Sequence, residues 1–446
     1  MRPGELNKEI LRLSLPAIAS NITVPLLSLS DTAISGHIGD FRTLGAISAG
    51  SMMFNTAFWL FGFLRMGTAG MTAQAFGKKD ERLAQTVFSQ ALAIAILSGL
   101  LLWAFSSPLS RLLCAVISPS ADVAAAAIGY FRITIMCAPA LLGIMAFNGW
   151  FFGMQSALYP MIIAIFTNLL NIALSITLVF WTDAGFEGVA IGTAAANWCG
   201  LVLAFILAVR FMKRKRLLAK LRDMADLSLL RRFFKVNSDI FLRSGCIMCV
   251  SLAITSFGAR QGDLQLATNA VMMQFFILFS YFMDGIAFSA ESLCGRFAGA
   301  CDGTSLKLAV RQLLIWGFSV MLLFTGLYLS AGSGIAGLIT SDADVLENVR
   351  RYSAWVVLIP PVTVLAFIFD GIFIGLTATR SMLAATVVST ILFFIVSLWH
   401  PFSPDAWSIP DNTTLWNAFL AYLLMRGIIL AALTPHIIKP YTTAKC

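Results

Sequence analysis

The chain has 446 residues, 59% of them hydrophobic and only 12% charged, with mean hydropathy +0.84. Soluble domains are about 45–50% apolar and about 25% charged, and half that charge cannot coat a water-soluble particle of this size. Soluble enzymes, nucleic-acid-binding proteins and disordered chains are thereby excluded, and a polytopic membrane protein is left; the apolar runs are continuous rather than alternating, which also excludes a membrane barrel.

A spanning helix needs about 20 apolar residues. Apolar runs between charged or Gly/Pro-rich breaks predict twelve spans, near residues 11–38, 44–76, 84–105, 123–153, 160–181, 187–211, 236–260, 264–298, 308–332, 348–376, 381–399 and 413–435. Met1–Arg12 is polar and of mixed charge, so no cleavable signal is expected there. The first span holds Pro16 and Pro25. Each removes a backbone donor and crowds the carbonyl four residues back, which predicts kinks. Asp31 follows one and a half turns later, so the kinks read either as gating bends or as ordinary lipid-packed prolines. The fourth span carries Asn148. The fifth carries Asn168, Asn171 and Ser175, a polar stripe at i, i+3, i+7, and the sixth has Thr193 and Asn197 on one face. These amides and hydroxyls fit interhelical hydrogen bonding as well as a small-cation or proton site completed by a neighbouring acid.

After the sixth span come ten basic residues, from Arg210 to Lys235. They read as a positive-inside cytoplasmic loop rather than a binding patch. Asp284 and Glu291 lie two turns apart in the eighth span, and Asp370 in the tenth. An ionised side chain in hydrocarbon costs about 2.5–3.5 kcal/mol even on the lenient insertion scale, so each of these four acids, Asp31 included, asks for a function or a basic partner such as Arg65. The eight cysteines have no CxxC or metal-ligand spacing and read as free thiols, with no disulfide framework. No nucleotide-binding loop is present, so ATP is not the energy source. No cofactor or enzymatic constellation is expected.

The chain repeats itself. At a shift of 222 residues, Asp122, Tyr130, Pro139, Gly149 and Gly153 meet Asp344, Tyr352, Pro361, Gly371 and Gly375; upstream, Gly36, Gly77 and Asp80 meet Gly258, Gly299 and Asp302. Six spans per half is an even number, so the halves are parallel repeats: an N-lobe over 1–211, a basic linker over 212–235 and a C-lobe over 236–446. Two such bundles form a transporter plan. The ionisable chemistry does not repeat, because Asp31, Asp284, Glu291 and Asp370 meet Ala253, Gly62, Ala69 and Asn148. Basic residues place both termini and the 6–7 loop in the cytoplasm, with Asp183, Glu187, Asp405 and Asp411 on the other side.

Ser20–Gly39 (SNITVPLLSLSDTAISGHIG), Leu64–Gly77 (LRMGTAGMTAQAFG), Ser280–Gly295 (SYFMDGIAFSAESLCG) and Phe369–Gly375 (FDGIFIG) resemble the multidrug and toxic compound extrusion family. The second and third of these segments are most similar to its DNA-damage-inducible protein F branch. The resemblance implies an all-α membrane protein of twelve helices in two six-helix lobes related by pseudo-twofold symmetry. It also implies export of amphipathic, cationic compounds by antiport with H+ or Na+, from a bacterial cytoplasmic (inner) membrane, by a monomer with no nucleic-acid partner. Asp31, Asn171 and Thr193 match the family's coupling positions and would hold any Na+; Ser175 replaces an aspartate of many relatives, which tilts the reading towards H+. Asn148, Asn168, Asn197, Asp284, Glu291 and Asp370 would line the substrate cleft. A lipid-linked-precursor flippase would need several Arg and Lys in the cleft, where Arg65 and Arg243 are the main candidates; a non-transporting scaffold leaves the buried acids unexplained.

Overall fold

The computed structural model describes residues 2–37, 41–117, 120–182, 184–215, 227–398 and 410–442. The described residues are helical throughout their ordered elements, with no strand. The first half holds α1 (Pro3–His37), α2 (Phe41–Trp59), α3 (Phe63–Gly77), α4 (Glu81–Ala104), α5 (Ser106–Ile117), α6 (Ala121–Thr134), α7 (Ala138–Gly153), α8 (Leu158–Trp181) and α9 (Glu187–Lys215). The second holds α10 (Leu227–Arg260), α11 (Asp263–Gly299), α12 (Gly303–Ile339), α13 (Ala343–Arg351), α14 (Ser353–Gly375), α15 (Thr379–Leu398) and α16 (Asn412–Thr442).

Among the described residues, twelve stretches are long and apolar enough to cross a membrane, and each overlaps one of the twelve predicted spans. Their outward faces carry exposed large apolar side chains such as Leu97, Leu169, Leu322 and Leu338, a surface that only lipid makes favourable. Three details depart from the prediction. The second and fourth spans are each interrupted by one 3-10 turn, Leu60–Gly62 and Ile135–Cys137. In the fourth, Pro139 withholds the N–H that would bond the Ile135 carbonyl. The tenth span begins at Ser353, not at 348, because the separate helix α13 ends at Tyr352. Helix α5 was not predicted as an element of its own.

The repeat is visible in backbone geometry. Lys79 and Cys301, with φ 55° and 54°, lie 222 residues apart, as do Gln155 and Thr377, with φ 63° and 52°. Non-glycine residues seldom adopt this left-handed conformation; here each follows the end of a long helix, where such a residue stops further winding. The next residue in two of these turns is an N-cap: Asp80 Oδ1 accepts from the Leu83 N–H at 2.9 Å, and Asp302 Oδ1 from the Ser305 N–H at 2.9 Å. Helix pairs repeat as well. A Cβ on Gly149 would strike the Arg65 carbonyl oxygen, and one on Gly371 the Ala287 carbonyl oxygen, so α7 on α3 and α14 on α11 approach at the same register.

The Asp302 cap carries a pH prediction. Hydrogen bonds from the Ser305 hydroxyl and backbone N–H hold its carboxyl below the usual carboxylate range. The cap's contribution is therefore complete above the unfolded value of about 3.9 and is lost as pH falls through the lower folded value. Asp302→Ala should lower stability by about 1 kcal/mol at pH 7, and the deficit should shrink in thermal melts taken below pH 4.

Compactness groups Leu15–Asn237 as one unit and Met1–Ser14 with Ser238–Cys446 as another. The first is cored by Met53, Phe58, Leu64, Phe131 and Leu142, joined by Leu229 and Phe233 from the start of α10; Arg232 there donates to Gln74 Oε1 at 3.1 Å. In the other unit, the start of α1 buries Leu6 and Ile10 completely. Glu9 pairs with Arg296 at 2.6 Å, and Asn7 Oδ1 accepts from Trp316 Nε1 at 3.2 Å. Gln74 and Arg296 are repeat partners. The units thus divide α1 at Leu15 and α10 at Ser238, whereas the lobes expected from the repeat are 1–211 and 236–446, with the basic linker between them in sequence.

Cys301, in the turn before α12, is disulfide-bonded, which corrects the expectation of free thiols throughout. It lies outside the apolar helices, where a thiol is not held apart by packing. Cys114, Cys137, Cys199, Cys246, Cys249 and Cys294 are free.

Candidate functional site

In the Leu15–Asn237 unit the predicted polar stripe of α8 closes into a hydrogen-bonded chain. Ser175 Oγ donates to Asn171 Oδ1 at 3.1 Å, and Asn171 Nδ2 donates to Thr193 Oγ1 of α9 at 3.2 Å. The Thr193 hydroxyl donates to the Val189 carbonyl at 2.9 Å, and Asn197 donates to the Thr193 carbonyl at 2.8 Å. Asn171 and Ser175 are buried. Asn168 instead reaches α1, donating to Thr23 Oγ1 at 2.7 Å. The structure therefore brings Asn171, Ser175, Thr193 and Asn197 together and ties α8 to α1 two residues before Pro25. Both prolines lie inside an unbroken helix, and Pro16 adjoins the point where α1 passes between the compact units. Asp31 lies on α1, but its side chain falls outside the described residues, so the trio proposed to hold Na+ is placed for Asn171 and Thr193 only. Asn148, on α7, keeps a buried Oδ1 without a hydrogen-bond partner.

The other unit holds a buried ionic cluster. Asp370 of α14 receives Arg243 of α10 and Arg426 of α16 on the same oxygen, Oδ2, the latter at 2.6 Å. Arg426 also donates to the Tyr422 hydroxyl at 3.2 Å and lies 5.8 Å from that ring's centroid. Arg243, Asp370 and Arg426 are 4%, 7% and 5% exposed. Two guanidiniums against one carboxylate leave the cluster with a net positive charge. Asp370 Oδ1 and the Nε atoms of both arginines have no hydrogen-bond partner.

This corrects the reading of Asp370 as an acid open to a cationic substrate: its charge is already more than neutralised. Its ion pairs run to α10 and α16, while Asp284 and Glu291 stand on α11, half-buried and buried. Sequence reasoning missed Arg426 and Tyr422. The signal was present, since an arginine within an otherwise apolar span is itself a functional-site indicator. A tyrosine four residues earlier shares its helix face.

An aromatic wall adjoins the cluster. Phe367 is one turn before Asp370, and Phe419 and Tyr422 precede Arg426 on one face of α16. Phe276 touches Phe367 and Phe419 with ring centroids 6.1 and 5.4 Å apart, and Phe419 stacks on Tyr422 at 6.4 Å. Phe276 and Phe367 remain half-buried.

Comparison with known proteins agrees with this architecture. The family model MatE matches twice, over residues 16–177 and 240–399, once in each repeat. The DNA damage-inducible protein F of Escherichia coli (strain K12) is 34% identical over 96% of this chain and 92% of its own length. A probable multidrug resistance protein NorM of Thermotoga maritima is 23% identical over 77% of this chain and 74% of its own. Among solved structures, the Vibrio cholerae MATE transporter VcmN in its bent form superposes with TM-score 0.84 at 17% identity, over 98% of each chain.

Proposed function

The chain belongs to the MatE family, and on that premise we propose that it is a secondary active exporter of amphipathic organic compounds, driven by inward flow of H+, with Na+ as the alternative ion. It acts in a bacterial cytoplasmic membrane with both termini inside, the side on which the basic loops concentrate. The observation that carries the reading is a gapless two-fold repeat whose ionisable groups do not repeat. A symmetric scaffold has no need of buried charge, whereas an antiporter needs groups that bind cargo and ion differently in two states. The relatives named as multidrug resistance proteins support the cargo class.

Asp31 is the coupling acid in this proposal, and the Asn168–Thr23 bond with the Ser175–Asn171–Thr193 chain supports it by setting α1 against a polar face. Asp370 is taken up by two arginines, and Asp284 and Glu291 are the acids of α11 proposed to line the substrate cleft.

Uptake of a lipophilic fluorescent dye into inside-out vesicles, with proton and sodium gradients imposed separately, tests the reading. Accumulation is expected under an interior-acid gradient without sodium. No accumulation under either gradient overturns the exporter assignment; a strict sodium requirement overturns the choice of ion. Orientation is checked by labelling single cysteines from outside in sealed cells, expected to reach position 183 and miss position 214.

A further inference from the structure

We propose that the Arg243–Asp370–Arg426 cluster is a receptor for one carboxylate group of the cargo, so that the exporter accepts amphipathic acids, including zwitterions. The inference rests on the exporter reading and names a chemical group that reading does not contain.

Charge balance is the first argument. One arginine suffices to neutralise Asp370, and a second adds a buried cation that costs desolvation and gains no counter-ion of its own. The fold does not demand charge there, because the repeat partners of Arg243, Asp370 and Arg426 are Asn21, Asn148 and Ala204. One incoming monoanion brings the cluster to zero.

Hydrogen-bonding capacity is the second. Both arginines are more than nine-tenths buried, yet each holds back its Nε–H. The Nη2 atom beside each Nε already holds Asp370, so the two Nε–H groups, one from each arginine, are the donors left for the oxygens of a second carboxylate. The cluster makes its ion pairs through the Nη2 atoms alone, both on Asp370 Oδ2.

The wall decides what kind of anion. Phe276, Phe367, Phe419 and Tyr422 set aromatic surface beside the charged groups, and two of those rings remain half-buried. A bare inorganic ion gains nothing from such rings, whereas a carboxylate on an apolar body buries it.

The experiment is equilibrium binding to the purified full-length protein at pH 7.5, with 4-(1-pyrenyl)butanoate and its neutral primary amide as a matched pair of probes. Wild type should bind the acid about tenfold or more tightly than the amide, as expected for charge-assisted bonds. Arg243→Gln and Arg426→Gln each leave a neutral Arg–Asp pair, and each should bring the acid-to-amide ratio close to one while amide affinity is unchanged. Asp370→Asn vacates a carboxylate seat: its acid preference should persist or rise, and added acetate should raise its melting temperature. Equal binding of acid and amide by wild type overturns the proposal, as does a ratio that survives both arginine changes. Should those variants not fold, competition on wild type decides: acetate should displace the pyrene acid and not its amide, and equal displacement of both counts against the site. Displacement of the probe by chloride as readily as by acetate overturns the organic-acid assignment. Binding needs no gradient, so a protein that selects the acid but moves nothing loses only the exporter reading, and one that exports a cation without acid preference loses only the receptor.

Discussion

Asp370→Asn is expected to lower the stability of the folded protein by about 3–5 kcal/mol, the range for removing one partner of a buried ion pair. The substitution is nearly isosteric, so packing does not supply the loss. Arg243 and Arg426 would be left in the apolar interior without a counter-charge, close enough to repel each other. The second change Arg426→Gln removes that repulsion, and the double variant should recover part of the loss. The shortfall from additivity then measures the coupling. Thermal unfolding of the two single variants, the double variant and wild type in detergent checks this. A melting temperature for Asp370→Asn within a degree or two of wild type would mean that the ionic cluster does not hold the helices together.

The second large effect lies in the other unit. Asp31→Asn keeps the size and hydrogen bonding of the side chain but cannot change charge, so gradient-driven export should fall to background while thermal stability stays near wild type. Asp31→Glu should keep partial activity at a shifted pH optimum. Ser175→Asp, which restores a second carboxylate next to Asn171, should strengthen dependence on sodium, because added anionic ligands favour a hard cation. Dye efflux under an imposed pH gradient in sodium-free vesicles is the measurement. Full activity of Asp31→Asn would transfer the coupling role to another acid, with Glu291 of α11 next to be replaced.

Several features needed only the letters. Twelve runs of apolar residues mark twelve spans because a bilayer leaves a helix as the only way to satisfy the backbone. The 222-residue repeat was legible in Asp, Tyr, Pro and Gly, and it reappears in the paired N-caps Asp80 and Asp302; the paired left-handed turns keep the register with different residues, Lys79 with Cys301 and Gln155 with Thr377. The polar stripe of Asn168, Asn171 and Ser175 was legible for a similar reason: at a spacing of three and four, residues share a face whatever the neighbours are.

Partner choice was not legible. Beyond its first residue, helix α14 is apolar on every side except at Thr363 and Asp370, so its pattern does not say which face meets which helix. Arg243 lies 127 residues before Asp370 and Arg426 lies 56 after it, and only packing decides that all three converge on one carboxylate oxygen. Nor could composition show that the first turns of α1 pack with the C-terminal half and those of α10 with the N-terminal half. Those ends carry the pairs Glu9–Arg296 and Arg232–Gln74, whose partners lie far apart along the chain. The number of spans, their symmetry and which of them carry charge follow from local pattern and from the cost of polar groups in lipid. Which charges neutralise one another, and with what sign left over, was decided by the tertiary structure, because electrostatic interaction depends on separation in space and not along the chain.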